Sequence, residues 1–205
     1  MKRSKGFTLI EMLVVLGIIG IVMSALLVGY GHMTKTAQKA RAQELVSNVA
    51  TALNVILTKN GVWPSVLVTY QGKDGPNMGC VPQVLSTLSD GGFSVNASGL
   101  DKLGIVSPWA QDVIKHRAAG QPAQLSTRVP TGGTIQDHMI YFAVDKNLDG
   151  VTEASVCGEK VKVRVNAIAW CAGADGKLGH SYRKHEKANA DNVYSWRRNQ
   201  EVTDR

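Results

Sequence analysis

The sequence has few aromatic residues and few cysteines, and it lacks the short motifs that mark common enzyme active sites. Aromatic residues make up 6% of the 205 residues, and only three residues are cysteines. The chain contains no G-x-S-x-G turn, no Gly-rich phosphate loop of the P-loop type and no H-E-x-x-H helix. These absences argue against serine hydrolases, P-loop nucleotidases and zincin proteases, and we expect no enzymatic activity.

The excess of positive charge is small and is partly concentrated at the start. The formal net charge is +7, and Lys2, Arg3 and Lys5 precede all other charges, which leaves +4 for the rest of the chain. A mildly basic balance does not by itself indicate a nucleic-acid partner. We expect the basic stretch between Arg183 and Arg198 to be a solvated loop rather than a contact for nucleic acid or lipid.

A long apolar run follows the basic start. Residues 7–31 contain a single charged side chain, that of Glu11. About 20 apolar residues are enough to cross a bilayer as a helix, and a carboxylate in such a run is costly and tends to be functional. By the positive-inside rule, we expect the N-terminus to lie in the cytoplasm and the chain after Gly31 to lie outside the inner membrane, in the periplasm. A secretory signal peptide fits less well, because this run is longer than an h-region and lacks a small-residue cleavage site.

The residues Gly6-Phe7-Thr8-Leu9-Ile10-Glu11-Met12 resemble the class III signal of type IV pilins and type II secretion pseudopilins. The resemblance implies that a prepilin peptidase cleaves after Gly6 and methylates the new N-terminal Phe7. It also implies that Glu11 drives assembly by pairing with the α-amino group of Phe7 on a neighbouring subunit. The implied partners are copies of this chain or other pilins and pseudopilins, the peptidase/methyltransferase, the inner-membrane assembly platform and the membrane.

The apolar run continues into an amphipathic segment. Residues 32–58 contain neither Pro nor Gly, and one apolar face recurs at helical spacing. Its members are Ala37, Ala40, Leu45, Val49, Leu53 and Ile56. We predict one helix over 7–58, with the transmembrane part at about 7–31, and a C-terminal stop at Asn60-Gly61. The domain organisation is then a leader at 1–6, this helix, and a globular pilin-like domain at 59–205.

The globular part predicts an α+β fold, in which the long N-terminal helix packs on a small antiparallel sheet with long loops. Residues 139–144 are rich in β-branched and aromatic side chains and predict a strand. Residues 161–170 begin with strict alternation and predict a second strand that is half buried. Residues 84–88 predict a short helix.

Two acidic loops could bind calcium. In the first, Asp145, Asn147 and Asp149 precede Gly150 in the spacing of an EF-hand loop, and Glu153 stands at the ninth position. The twelfth position lacks the expected carboxylate. The alternative is a hairpin turn rich in Asp, Asn and Gly without an ion.

The second loop resembles the C-terminal calcium loop of major pseudopilins. Gly173-Ala174-Asp175-Gly176 is followed by Asn189-Ala190-Asp191, and the resemblance implies Asp175, Asn189 and Asp191 as ligands. Asn189 stands where the family has a carboxylate, and the intervening stretch is basic. The alternative is a surface loop whose Asp-Gly turn is structural. His180 and His185 lack the spacing of a zinc site, and we expect no other cofactor.

The three cysteines would lie in an oxidising compartment. Cys157 and Cys171 flank the second predicted strand, and we predict a disulfide between them. Cys80 could instead pair with either of the two.

Two functions remain open. The second acidic loop favours a structural subunit of a type II secretion pseudopilus, which supports protein secretion. The C-terminal region is longer and more basic than we expect of a compact major pseudopilin, which favours a type IV pilin, major or minor, for adhesion, motility or DNA uptake.

Overall fold

The computed structural model describes residues 8–72, 78–93, 103–116, 124–179 and 191–202. Contacts divide the chain into two compact units, residues 1–38 and residues 39–205. The predicted domain boundary at 58/59 follows the predicted end of the long helix, and it stays a prediction.

Helix α1, Leu9–Asn60, runs through both units without interruption. In the first unit its large apolar side chains are exposed, with Leu9 at 84% and Ile21 at 71%. Thr8 precedes the helix, and the predicted start at Phe7 lies outside the described residues. Among the residues that the structure describes, no helix combines the length and the hydropathy that a membrane span requires.

In the second unit, α1 buries the stripe Ala42, Val46, Val49, Leu53 and Ile56. The spacing of three and four residues places these side chains on one helical face. The apolar face was therefore predicted correctly from Val49 onward, whereas Ala37 and Ala40 are exposed.

The helix ends as predicted. Gly61 adopts a φ of +70° and donates its N–H to the carbonyl of Leu57 at 2.8 Å. A left-handed glycine at this position satisfies a carbonyl of the last turn and breaks the helix.

Among the described residues of the second unit are three short helices, α2 Ser65–Tyr70, α3 Pro82–Asp90 and α4 Pro108–His116. The same residues include the 3₁₀ turns Gln136–His138 and Arg198–Gln200. Helix α3 confirms the predicted short helix and extends it at both ends.

The strands in the described part of the chain form two antiparallel sheets. Strands β1 Tyr141–Val144, β4 Ala167–Cys171 and β5 Val193–Tyr194 pair in the order β1-β4-β5. Strands β2 Thr152–Val156 and β3 Glu159–Val163 form a separate hairpin. The α+β fold is confirmed.

The predicted strand over 161–170 is wrong as a single element. The segment splits into the end of β3 and all of β4, which lie in different sheets. Val165 donates its N–H back to the carbonyl of Val163, and Arg164 donates to the carbonyl of Gln200, so the chain turns out of the hairpin there. Strand β4 is buried at every position, because it is the central strand of its sheet.

Candidate functional site

The start of α1 is closed by reciprocal hydrogen bonds between Thr8 and Glu11. The N–H and Oγ1 of Thr8 donate to Glu11 Oε2 at 2.8 Å and 2.9 Å. The N–H of Glu11 donates to Thr8 Oγ1 at 3.3 Å. This arrangement is a capping box, which satisfies N–H groups that a helix start otherwise leaves unpaired.

The surface around Glu11 is apolar and open. Leu9, Ile10, Met12 and Leu13 are each at least half exposed. An exposed apolar surface of this extent marks a surface that another apolar environment covers. The predicted cleavage residues Gly6 and Phe7 lie outside the described residues, and their roles stay predictions.

In the first acidic loop, backbone N–H groups of the loop itself donate hydrogen bonds to the carboxylate of Asp145, the first residue of the predicted site. Asp145 is buried, and its two oxygens accept the N–H groups of Asn147 at 3.0 Å and Gly150 at 2.6 Å. Its carbonyl also accepts the indole N–H of Trp63 at 2.6 Å. Asp149 accepts the N–H of Val151 at 2.9 Å. These contacts are those of a tight turn that the Asp side chains hold closed.

Glu153 does not belong to this loop. It lies on β2, opposite Lys162 of β3, and its carboxylate is 3.0 Å from the Lys162 ammonium. The structure therefore gives Glu153 a cross-strand ion pair and separates it from the predicted set of Asp145, Asn147 and Asp149.

The second acidic loop brings two of its three predicted residues together. Asp191 Oδ2 accepts the N–H of Ala174 at 2.6 Å and that of Asp175 at 3.4 Å. Asp175 Oδ1 in turn accepts the N–H of Lys177 at 2.9 Å. The third predicted residue, Asn189, lies outside the described residues.

Glycine is required where this loop meets Asp191. A Cβ at Gly173 would overlap the Asp191 carboxylate, and one at Gly132 would lie 2.5 Å from the carbonyl oxygen of Asp175. The side chain of Asn192 also fixes the loop, because its Oδ1 accepts the N–H of Gly173 at 3.0 Å.

His138 lies beside this loop and is fully buried. Its Nδ1 is 3.0 Å from Ser107 Oγ, and its Nε2 is 2.9 Å from the carbonyl oxygen of Gly132. Burial lowers the pKa of His138, and the Gly132 carbonyl together with the charges of Asp137, Asp175 and Asp191 partly opposes that shift. The imidazole thus connects residues 107 and 132, and it lies against Gly176, where an added Cβ would be 2.8 Å from Nε2.

The described residues contain no group of three or more His, Cys, Asp or Glu side chains arranged to hold a metal ion. The carboxylates of both acidic loops are turned toward backbone N–H groups instead. Calcium binding stays a prediction, because one predicted ligand, Asn189, is not described.

All three cysteines are described, and each is a buried thiol. The expected disulfide between Cys157 and Cys171 is absent from the structure. Cys157 turns at the tip of the β2–β3 hairpin with its Sγ 3.8 Å from the Tyr194 hydroxyl, whereas Cys171 ends β4 in the other sheet. Burial raises the pKa of the Cys80 thiol, and burial together with the charge of Asp191 raises the pKa of Cys171 to about 12.

Comparison with known proteins finds similarity at the N-terminus. The model of the prokaryotic N-terminal methylation motif matches residues 1–27. The match supports a likeness to type IV pilins and pseudopilins, which are structural proteins, over this N-terminal segment.

This pilin-like chain is also similar to the type IV major pilin protein PilE of Neisseria gonorrhoeae. The two are 37% identical over 60 residues, which are 29% of this chain and 36% of that protein. The match therefore spans about a third of the relative's length. No solved structure matches the chain.

Sequence reasoning missed two features of the pilin-like chain. The pairing of Thr8 with Glu11 could have been found, because T-x-x-E before an apolar run is a capping-box signature. His138 could not, because its neighbours Ser107, Gly132 and Gly176 are distant in sequence and share no motif.

Proposed function

We propose that this chain is a structural subunit of a membrane-derived filament. It is cleaved after Gly6, methylated on Phe7, and assembled by side-by-side packing of the first part of α1. The observation that carries the proposal is an exposed apolar helix that begins with a single capped carboxylate, Glu11.

The apolar helix needs an apolar environment both before and after assembly. The sequence of residues 7–31 supports insertion in the inner membrane, with the basic leader in the cytoplasm and the C-terminal domain in the periplasm. In the filament, neighbouring helices replace lipid around the same side chains. Helix association in such surroundings depends on packing and on polar contacts rather than on burial from water.

Glu11 is the polar contact. The α-amino group that cleavage creates on Phe7 of a neighbouring subunit is the cation that would pair with it. Leaving a charge buried without its partner costs about 3–5 kcal/mol. That cost corresponds to at least about a hundredfold in an association constant. We therefore assign to this pair the axial position of each subunit.

Within the family, we propose a pseudopilus of type II secretion, supported by the likeness of the Asp175 and Asp191 loop to that of major pseudopilins. The alternative is a type IV pilus, and the similarity to a major pilin over 60 residues favours it. The two differ in phenotype. Deletion of the gene should abolish secretion of periplasmic proteins in the first case and should remove surface filaments while leaving secretion intact in the second.

We propose calcium only at the second acidic loop, because that loop resembles the calcium loop of major pseudopilins, whereas Glu153 of the first loop is paired with Lys162 on the neighbouring strand. Asp175, Asn189 and Asp191 would supply the oxygen ligands. Thermal melting with millimolar calcium and with chelator tests this. A Tm that is identical in both would remove the ion from the proposal, and an equal shift in the Asp191→Ala variant would place it elsewhere.

Processing is tested by Gly6→Ala in the host bacterium. The variant should keep the mass of the uncleaved chain and should form no filaments. A variant of normal processed mass would contradict the assigned cleavage site, and Gly20→Ala, which introduces the same methyl group where nothing lies within 4 Å, is the matched control.

A further inference from the structure

The β2–β3 hairpin has one edge that its own two strands leave unpaired. Alternate residues of β3 turn their main-chain groups toward β2, and the residues between them turn away from it. The members of the second set are Lys160, Lys162 and the following residue Arg164, and we call their main-chain groups the outer edge of β3. An unpaired edge of this kind is a template on which another strand can pair.

The C-terminal segment covers part of this edge. Two main-chain hydrogen bonds of 2.9 Å join them: the N–H of Arg164 donates to the carbonyl of Gln200, and the N–H of Val202 donates to the carbonyl of Lys162. Within the described residues, no such bond reaches Lys160 from outside the hairpin. The described part of the segment therefore covers two of the three positions of the outer edge.

The register of this pairing is anchored at Glu201. Glu201 stands opposite Val163 in an antiparallel bridge, and its carboxylate accepts the indole N–H of Trp196 at 3.3 Å. Trp196 is itself buried, so the anchor belongs to the core of the globular unit. Each step toward the C-terminus then pairs with one step back along β3. Two residues beyond Val202, the same register sets Asp204 opposite Lys160.

The charges on the two sides agree with that register. Lys162 already pairs with Glu153 of β2 at 3.0 Å. Lys160 is exposed, and no carboxylate of the described residues forms an ion pair with it. Directly opposite residues of an antiparallel pair point to the same face, and an opposite-charge pair there stabilises the pairing. Asp204 would bring to Lys160 the carboxylate that the hairpin itself does not supply.

We propose that the outer edge of β3 is a strand-docking surface whose occupant is the C-terminal segment of this chain, residues 200–204. The segment forms a third strand on the hairpin and closes its edge against strands of other chains. Asp204 lies outside the described residues, and its position follows from the register at Glu201. A second copy is a poorer occupant, because antiparallel pairing of two β3 edges with their faces matched sets lysine against lysine.

Amide hydrogen exchange of the full chain in detergent, resolved to single residues, tests the proposal. The N–H of Lys160 should exchange at least about tenfold more slowly than in the unfolded chain, because it reaches solvent only when the third strand opens. On an uncovered edge it would exchange at nearly the unfolded rate. Val161, whose N–H faces β2, is the internal control for a folded hairpin.

Proline substitutions test the register. Asp204→Pro removes an N–H that the register directs at the carbonyl of Lys160, so the protection of Lys160 should be lost while that of Val161 remains. Thr203→Pro is the matched control, because the N–H of Thr203 points away from β3 and proline is tolerated on the solvent side of an edge strand. This variant should keep the protection of Lys160 to within about twofold.

A charge exchange tests the pairing of Asp204 with Lys160. Lys160→Glu should lower the protection of residue 160, because it sets two carboxylates opposite each other, and the double variant Lys160→Glu/Asp204→Lys should restore it.

Four results would overturn the proposal. Exchange of Lys160 at the unfolded rate beside a protected Val161 would show an open edge. Protection that survives Asp204→Pro would assign the edge to another occupant, and equal losses in Thr203→Pro and Asp204→Pro would exclude a strand in this register. A charge exchange that restores nothing would remove Asp204 as the partner of Lys160.

Discussion

Replacement of Asp191 by alanine should loosen the C-terminal loop of the globular unit. The Asp191 carboxylate accepts the N–H of Ala174 at 2.6 Å and that of Asp175 at 3.4 Å, and these bonds tie residues 173–175 to the start of β5. Alanine removes the acceptor and leaves the Ala174 N–H without it. The loss of structure should be local, because Asn192 still accepts the N–H of Gly173.

The expected loss in the free energy of unfolding follows from the lengths of the two hydrogen bonds that Asp191 accepts. A hydrogen bond to a charged group contributes about 1.5–3 kcal/mol, and the 3.4 Å contact is long enough to contribute little. We therefore expect a loss of about 2–3 kcal/mol. For a unit of this size, 1 kcal/mol corresponds to about 2–4 °C in Tm, so the melting temperature should fall by about 5–10 °C.

Gly173→Ala provides an independent route to the same contact, because its Cβ would overlap the Asp191 carboxylate and displace it. The double variant should lose much less than the sum of the two single losses, since both changes remove one interaction. Gly61→Ala is the control for a change of glycine alone: its φ of +70° adds strain, but nothing lies within 4 Å of the new Cβ.

The assay is thermal melting of the full chain in detergent, with chelator present so that bound calcium does not contribute. Asp191→Asn, which keeps an oxygen acceptor but loses the charge, should lie between wild type and Asp191→Ala. A loss below about 0.5 kcal/mol for Asp191→Ala, the size of an ordinary surface substitution, would refute the assigned role of the carboxylate.

Three further predictions concern the core of the globular unit. Burial lowers the pKa of His138 below its unfolded value, so the unfolded state binds more protons. The stability of the wild-type chain should therefore fall as pH drops below about 6.5, and His138→Gln should flatten this pH dependence in denaturant titrations. An unchanged pH dependence would contradict this. The three cysteines, Cys80, Cys157 and Cys171, are buried thiols, so they should resist a thiol reagent at pH 8 in the folded chain and should all react after unfolding. Rapid labelling of Cys171 in the folded chain would be inconsistent with its pKa of about 12. Leu53→Ala should lower the free energy of unfolding by about 2–5 kcal/mol, because it leaves a cavity under α1. Ala40→Gly, at an exposed position of the same helix, should lower it by about 1 kcal/mol. Equal losses would mean that this face of α1 is not packed as described.

The sequence predicts best where one physical requirement dominates. An apolar run, an unbroken helical period and a glycine stop determine α1, and its end at Asn60 agrees with the prediction within two residues. The break between β3 and β4 was not predictable in the same way. Alternation ends at Val165, but the turn depends on hydrogen bonds with residues 200 and 202, far along the chain.

The candidate site shows the same limit. Spacing suggests calcium ligands in the first acidic loop, and the resemblance implies them in the second. In the structure, Asp145 accepts N–H groups of its own loop, Glu153 pairs with a lysine of the neighbouring strand, and Asp191 accepts the N–H of Ala174. All three cysteines are thiols in the structure, and the disulfide between Cys157 and Cys171 stays a prediction. Cys157 and Cys171 flank one stretch of sequence, but the fold assigns that stretch to two different sheets.

A density map of filaments sheared from the host bacterium tests the central claim most directly. The account predicts that the first part of α1 forms the filament core and that the Glu11 carboxylate lies within about 4 Å, the range of an ion pair, of the Phe7 α-amino nitrogen of a neighbouring subunit. A filament held together by contacts between globular units, with Glu11 facing solvent, would contradict it.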